Sequence, residues 1–487
     1  MRLLLTASEV VPYCKTGGLA DVAGALADAL AERGNAVRLL LPLYRGIRDR
    51  FPGVRFTGRT VFVPVGAEHE RVEIWEEVNK SGVHVLFARC DAYFDRAGLY
   101  GDSPSSAYGD NDRRFALLSR AAFEVARGMD FRPDVIHAHD WQTGLVPAYL
   151  RYAYRFDPFF KNTASVFTIH NMAYQGNFPP YAMGVANLPP TAFHPGGVEF
   201  YGQVSYMKAA LVYAHAINTV SPTYAREVMT ESFYGCGMEG VLRDRADRFR
   251  GILNGIDPYA WNPESDRLLA SNFGPRLLSK RAACKTDLQA ICGLPKNKTA
   301  PLLAFIGRLD HQKGVDHLIE IMPGLLAAGA QFVSLGQGQE HYVRALFGLK
   351  ERYPSQVHVE TRFAEPLAHK IYGGADLFLM PSRFEPCGLG QIIAMRYGAI
   401  PVVTPTGGLI DTVHPMGHRH ANGFVASDQT AGGYLEAVIK GMSSLKDAKR
   451  RAELQRNGMN EDHSWTKSVG EYQSLYAAAI RWANDRP

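Results

Sequence analysis

The chain has 487 residues, 46% hydrophobic and 21% charged, with 53 Lys and Arg against 48 Asp and Glu for a formal net charge of +5. That length exceeds one hydrophobic core and suits about two or three domains; the mild charge, with no basic block, excludes a nucleic-acid footprint and leaves anionic small molecules open. The six cysteines (Cys14, Cys90, Cys236, Cys284, Cys292 and Cys387) form no Cys-x-x-Cys pair, so neither a zinc knuckle nor a disulfide framework is expected. Residues 1–9 are too short and too soon charged for a signal peptide, and no apolar run approaches the ~18 residues of a membrane span. These features predict reduced thiols and a cytoplasmic protein with no membrane partner.

In chain order, residues 3–7 read as a buried strand and 19–33 as a helix with Ala and Leu at three- and four-residue spacing. Gly34 is its stop and 36–41 the next strand, completing a βαβ unit. Strands follow at 83–88, 135–138, 165–169 and 217–220, with a helix at 112–127. Near residue 250 the register restarts. Strands at 301–307, 331–335, 377–380 and 400–403 then alternate with helices at 314–328 and 389–397. This alternation predicts an α/β fold of two Rossmann-like, doubly wound domains with parallel sheets covered on both faces, their carboxyl ends facing a deep cleft. Residues 260–298 read as surface loops and one helix. From residue 466, Tyr472, Tyr476 and Trp482 mark an amphipathic helix that docks back on the first domain. The expected divisions are 1–252, 253–465 and 466–487.

One word is written twice, as Thr16-Gly17-Gly18-Leu19 with Asp21 and as Thr406-Gly407-Gly408-Leu409 with Asp411, each after an apolar run. Paired glycines allow dihedrals closed to other residues, and helix-start N–H groups point into the turn, so such turns suit phosphate; ordinary αβ turns also take Gly-Gly. Residues 381–390, Pro-Ser-Arg-Phe-Glu-Pro-Cys-Gly-Leu-Gly, lie between a strand and a helix and put Glu385 at a carboxyl edge. A carboxylate beside a helix start that attracts anions must face something neutral or cationic, such as a sugar with developing positive charge. Arg308 and Lys313, also between strand and helix, can clamp a diphosphate, and Lys15 is a third candidate cation.

His137-Ala138-His139-Asp140-Trp141 places two histidines on one face of a strand end. Without a third ligand they fit a satisfied polar core better than a metal site. Asp110-Asn111-Asp112 precedes an apolar-periodic run and reads as a helix cap. Thr168-Ile169-His170-Asn171 and Asn254-Gly255-Ile256-Asp257 close strands and also fit turn chemistry. Gly336-Gln337-Gly338 lacks the third glycine and later acid of a dinucleotide fingerprint, which argues against a nicotinamide enzyme.

Together these residues resemble the bacterial glycogen synthases and plant starch synthases, retaining glucosyltransferases of the GT-B fold. The likeness runs from Lys15-Thr16-Gly17-Gly18-Leu19-Ala20-Asp21-Val22 through Asp110-Asn111 with Arg114-Phe115, the segment 137–141, 168–171 and 254–257, to Arg308–Lys313 and Glu385-Pro386-Cys387-Gly388-Leu389. It implies transfer of glucose from ADP-glucose to the non-reducing end of an α-1,4-glucan, with no cofactor and no metal. By that likeness Arg308 and Lys313 neutralise the leaving diphosphate, helped by Lys15 and the N–H groups of Gly18, Leu389 and Gly390. Gly17, Asp21, Cys387 and Gly388 belong to the donor site, and Phe363 stacks on the base where a Tyr is usual. Glu385 holds glucose hydroxyls, with His170 and Asn254 around the sugar and Asp140 near the reacting face. Tyr108 and Trp141 meet the acceptor. Gly390 stands where many bacterial members have Thr, and Thr404-Pro405 where an Arg is common. A UDP-sugar enzyme of the same fold, a glucan phosphorylase and a non-catalytic glucan-binding scaffold are the alternatives; every charged position of the resemblance is present, which disfavours the scaffold.

Overall fold

Short apolar runs pair side by side in parallel here because the helix after each strand returns the chain to the same edge of the sheet. The computed structural model describes residues 1–103, 106–362 and 364–485, and the chain divides into two units, Met1–Gly255 with Trp465–Pro487, and Ile256–Ser464.

The first unit contains β1 (Arg2–Thr6), β2 (Ala36–Pro42), β3 (Arg55–Val65), β4 (Glu68–Val78), β5 (His84–Arg89), β6 (Val135–His139) and β7 (Ala164–Ile169). After them come the short β8 (Asn177–Phe178), β9 (Glu199–Phe200) and β10 (Gln203–Ser205), then β11 (Ala216–Thr219) and β12 (Phe249–Gly251). The main sheet runs β12, β11, β7, β6, β1, β2, β5, β4, β3, and the three short strands form a separate sheet. Its order reverses beside β1, with β2 and β5 extending one way and β6, β7, β11 and β12 the other, all in parallel.

The all-parallel expectation is corrected at one edge. β3 and β4 form an antiparallel hairpin that turns at Gly66 and Ala67, and β4 is also antiparallel to β5. Val63, Val65, Val72 and Ile74 are buried, while Arg and Glu occupy the wet face, as antiparallel strands allow.

The second unit contains β13 (Leu302–Ile306), β14 (Gln331–Leu335), β15 (Val357–Glu360), β16 (Leu377–Met380), β17 (Ile400–Val403) and β18 (Phe424–Val425), all parallel, in the order β15, β14, β13, β16, β17, β18. Side chains alternate between two cores. Leu303, Phe305, Leu377 and Leu379 pack with Leu318 and Met322 on one face; Leu302, Ala304, Phe378 and Met380 pack with Leu288, Ile371 and Ile392 on the other. The order reverses between β13 and β16. At the ends of this unit Ile256 N donates to His463 O at 2.9 Å, tying the entering and leaving chain together.

The helix Trp465–Asn484 belongs to the first unit, where it lies against β7, β11 and the helix Gly18–Glu32. Trp465, Val469, Tyr472, Tyr476 and Ala479 are its buried stripe, spaced by three and four residues as one helical face requires. No helix among the described residues is long and apolar enough to cross a membrane.

Tyr472 and Tyr476 are fully buried, so their removal opens the core. A chain ending at Ser464 is expected to lose the thermal transition of the full chain, and Tyr472→Ala to lower the unfolding free energy by about 3–5 kcal/mol in a urea titration.

Candidate active site

Where strand order reverses, the connections after two neighbouring strands leave in opposite directions and open a crevice at their carboxyl ends. In the second unit those strands are β13 and β16, and the residues that follow them are Arg308 to Lys313 and Ser382 to Gly390.

The two loops are bound into one network. Lys313 Nζ is paired directly with Glu385 Oε2, and Ser382 Oγ donates to the same oxygen at 3.0 Å. Arg308 pairs with Asp310 at 2.9 Å and donates to Gln312 Oε1 at 2.8 Å, while Gln312 Nε2 donates to Phe384 O at 3.3 Å. Arg383 grips Asp316 through both terminal nitrogens, at 2.7 and 2.6 Å, and holds its carboxyl down to about 2. That guanidinium fastens loop to helix. Of the sequence-predicted residues, Lys313 and buried Glu385 are in direct contact, and the exposed Arg308 is linked to their loop through Gln312 and the Phe384 carbonyl. Cys387 is buried, and its carbonyl and that of Gly388 accept from Gln391 Nε2 at 3.0 and 2.9 Å. Leu389 and Gly390 stand at the start of the helix Gly390–Arg396. A Cβ on Gly390 would meet Phe378 at 3.0 Å, which leaves the hydroxyl-bearing residue common in the resembled family little room. Phe363 lies outside the described residues.

The repeated glycine word does different work in its two places. Gly407, at φ +45°, and Gly408 are buried against the Glu385 loop: Gly408 N donates to Glu385 O at 3.1 Å. A Cβ on Gly407 would lie 2.0 Å from Glu385 O, and one on Gly408 2.2 Å from Cys387 O. This second copy is a floor beneath the carboxylate loop, which corrects the expectation of a phosphate turn there.

In the first unit the crevice lies between β1 and β6. The first glycine copy is open, with nothing within 4 Å of a Cβ built at Gly17 or Gly18. Part of its anion-binding capacity is already taken: buried Glu9 accepts from Thr16 N, from Thr16 Oγ1 at 2.8 Å and from Gly17 N at 3.1 Å, and also from the Tyr100 hydroxyl at 2.7 Å. Sequence reading passed over Glu9, because a single Glu after a strand carries no signal until the turn wraps it. Exposed Lys15 pairs with Asp21 at 2.7 Å.

Asp140 follows β6 at φ 56°, ψ 177°, a conformation rare outside glycine and held by the surrounding structure. Its Oδ1 accepts from His170 N at 2.7 Å. Burial pushes its carboxyl up to about 7, opposed by backbone N–H groups of His170 and Asn171. Asn254 is buried, and its Oδ1 has no partner among the described residues. Trp141 is partly exposed between Phe115 and Phe178, with ring centroids 5.0 and 5.7 Å away. Tyr108 stands between the guanidinium groups of Arg96 and Arg114, at 4.8 and 4.9 Å, and its hydroxyl donates to Asp102 at 2.8 Å. Asp110 occupies the cap position of the helix Asn111–Gly128 without capping it; Arg96 takes its carboxylate at 2.6 and 2.5 Å. The helix-cap reading of Asp110 is thus overturned by a stronger, charged partner. Among the described residues no group of three or more His, Cys, Asp or Glu is placed to hold a metal ion.

The starch synthase catalytic domain model matches residues 2–244, and the model for glycosyl transferases group 1 matches residues 291–461. The chain is 44% identical to glycogen synthase 2 of Geobacter sulfurreducens, over 98% of this chain and 99% of that protein. It is 42% identical to the glycogen synthase of Elusimicrobium minutum, over 99% and 100%. Among solved structures it matches the catalytic domain of starch synthase IV from Arabidopsis thaliana bound to ADP and acarbose, with a TM-score of 0.90 and 32% identity over 98% of this chain and 99% of that one.

Two outcomes test this geometry. Gly408→Ala forces backbone apart and is expected to cost about 1–3 kcal/mol in a denaturant titration, whereas Gly18→Ala, with open space around it, leaves folding unchanged or slightly firmer. For Asp140, the folded carboxyl keeps its proton to about pH 7 while an unfolded one releases it near pH 4. Its contribution to stability is therefore favourable at low pH and lost as pH rises through that window. Asp140→Asn is expected to flatten the fall in stability between pH 4 and 7, read by urea titrations at both ends.

Proposed function

The chain belongs to the family of bacterial glycogen synthases and plant starch synthases and is a glycosyltransferase that adds glucose from a sugar nucleotide to an α-glucan; we propose that the donor is ADP-glucose, the acceptor bond α-1,4, and the configuration retained. One observation carries the assignment of roles. At the strand-order reversal of the second unit, Lys313 is paired with buried Glu385, and Arg308 is tied to the same loop through Gln312 and the Phe384 carbonyl. A diphosphate leaving group needs the cations, and a sugar with developing positive charge suits the carboxylate.

In this reading Arg308 and Lys313 bind the diphosphate and gain strength as its charge grows, and the N–H groups of Gly18, Leu389 and Gly390 with Lys15 share that load. Lys313 turns from Glu385 towards phosphate, which frees Glu385 to hold glucose hydroxyls and steady the oxocarbenium-like centre. His170 and Asn254 border the sugar, Asp140 stands near its reacting face, and Gly17, Asp21, Cys387 and Gly388 shape the donor site. The acceptor hydroxyl, guided by Tyr108 and Trp141, attacks from the face the nucleotide leaves and passes its proton to the departing phosphate. Positioning and electrostatics account for the rate, with side-chain cations in place of a metal.

The test is release of nucleoside diphosphate from ADP-glucose or UDP-glucose in the presence of glycogen and excess EDTA. ADP-glucose is expected to be the better donor, with full turnover in the chelator. Preference for UDP-glucose overturns the donor assignment, and loss of activity that magnesium restores overturns the metal-free mechanism. Arg308→Ala and Lys313→Ala are each expected to lower kcat by roughly 10²–10³, with thermal melts recorded alongside because Lys313→Ala leaves Glu385 buried without its cation. Near-normal turnover at saturating donor in either variant removes that residue from the clamp.

A further inference from the structure

Three histidines stand in a row in the first unit and end at the expected sugar site. Alternation along β6 puts His137 and His139 on one face, with ring centroids 4.1 Å apart, and His170, just beyond the neighbouring strand β7, lies 5.3 Å from His139. Burial lowers the basicity of all three, His137 and His170 to about 3 and His139 well below its ordinary value. Each ring is therefore neutral near pH 7 and carries one N–H. Which nitrogen carries it depends on the partners.

Those partners form a chain that begins on the C-terminal helix. The Tyr476 hydroxyl is 2.9 Å from His137 Nδ1, and His137 Nε2 is 2.6 Å from Thr168 Oγ1. Thr168 has one hydroxyl hydrogen and gives it to Asn218 Oδ1 at 2.7 Å, while Asn218 Nδ2 donates to the Tyr472 hydroxyl at 3.1 Å. Thr168 Oγ1 must then accept from His137, which fixes the His137 proton on Nε2 and makes Tyr476 the donor to Nδ1. The next link is His139 Nδ1 to His170 Nε2, at 3.0 Å. His139 Nε2 is buried with no partner among the described residues. A hydrogen placed there would be a buried, unmade N–H, which costs more than an unfilled lone pair. The proton belongs on Nδ1 and is given to His170 Nε2, so the proton of His170 stays on Nδ1.

We propose that His139 is a positioning residue that locks His170 into the Nδ1–H tautomer, so that this partly exposed ring offers a hydrogen-bond donor to a sugar oxygen, with Thr168 and Tyr476 bracing the stack from behind. The proposal rests on the reading above that His170 borders the sugar. A donor fixed before the ligand arrives spends nothing on reorienting a proton in the rate-limiting complex.

Long-range ¹H–¹⁵N spectra of histidine-labelled full-length protein read the tautomers without substrate, with His139→Phe and His170→Ala supplying the assignments. The expected result is a protonated Nδ1 and bare Nε2 on both His139 and His170. A proton on His139 Nε2 overturns the proposal. In kinetics, His139→Phe keeps the ring volume but loses the donor, and is expected to lower kcat by about tenfold to a hundredfold with the KM for glycogen unchanged. His139→Asn, which restores an N–H near the Nδ1 position, is expected to regain most of that loss. Equal loss in the two variants, both folded by thermal melt, overturns the proposal; if His139→Phe does not fold, His139→Asn supplies the assignment and the wild-type spectra decide it. Unchanged turnover in His170→Ala instead sinks the reading that this ring borders the sugar, and the spectra still judge the tautomer lock separately.

Discussion

Two parallel strands whose onward connections leave in opposite directions cannot close the gap between their carboxyl ends, and that gap organises both units. In the first it lies between β1 and β6, in the second between β13 and β16. The glycine turn and Glu9 follow β1, Asp140 and Trp141 follow β6, Arg308 and Lys313 follow β13, and Glu385 follows β16. Polar groups that would be costly inside either layered core are collected where the layers part.

Within the second unit the gap holds a carboxylate that is buried and directly paired with an ammonium. Glu385 is compensated by Lys313 and Ser382, and leaving one member of such a buried pair alone costs about 3–5 kcal/mol. The loop that carries it rests on Gly407 and Gly408, where any side chain would strike a carbonyl. The pair is thus self-neutralised; on the proposed reading a more highly charged anion draws the ammonium away, and the carboxylate is released by the same event.

Much of this was legible because parallel strands buried on both faces are nearly uninterrupted apolar runs. The segments 331–335, 377–380 and 400–403 stand out for that reason and fall on β14, β16 and β17. The β3–β4 hairpin did not stand out, since charges on its wet face, such as Arg71 and Glu73, break the run. The repeated glycine word shows the opposite failure. Identical residues follow an apolar run twice, and only the neighbours in space distinguish an open turn at Gly18 from a packed floor at Gly408. Asp110 was misread for a similar reason, because its partner Arg96 lies 14 residues away, beyond the local pattern that suggests a cap. His139 was read as a core residue from its strand alternation; its link to His170 depends on the register between β6 and β7, which the sequence does not spell out.

The placement of the helix Trp465–Asn484 bears on how the chain matures during synthesis. The second unit is continuous, from Ile256 to Ser464, and its two ends are tied to each other. The first unit is not, because its sheet is covered by a helix that the ribosome makes only after the whole of the second unit. The segment translated first is therefore finished last. Until residues beyond Ser464 emerge, the faces of β6, β7 and β11 that meet Tyr472 and Tyr476 remain bare, with His137 and Asn218 lacking their tyrosine partners, an incompletely packed surface of the kind that chaperones hold.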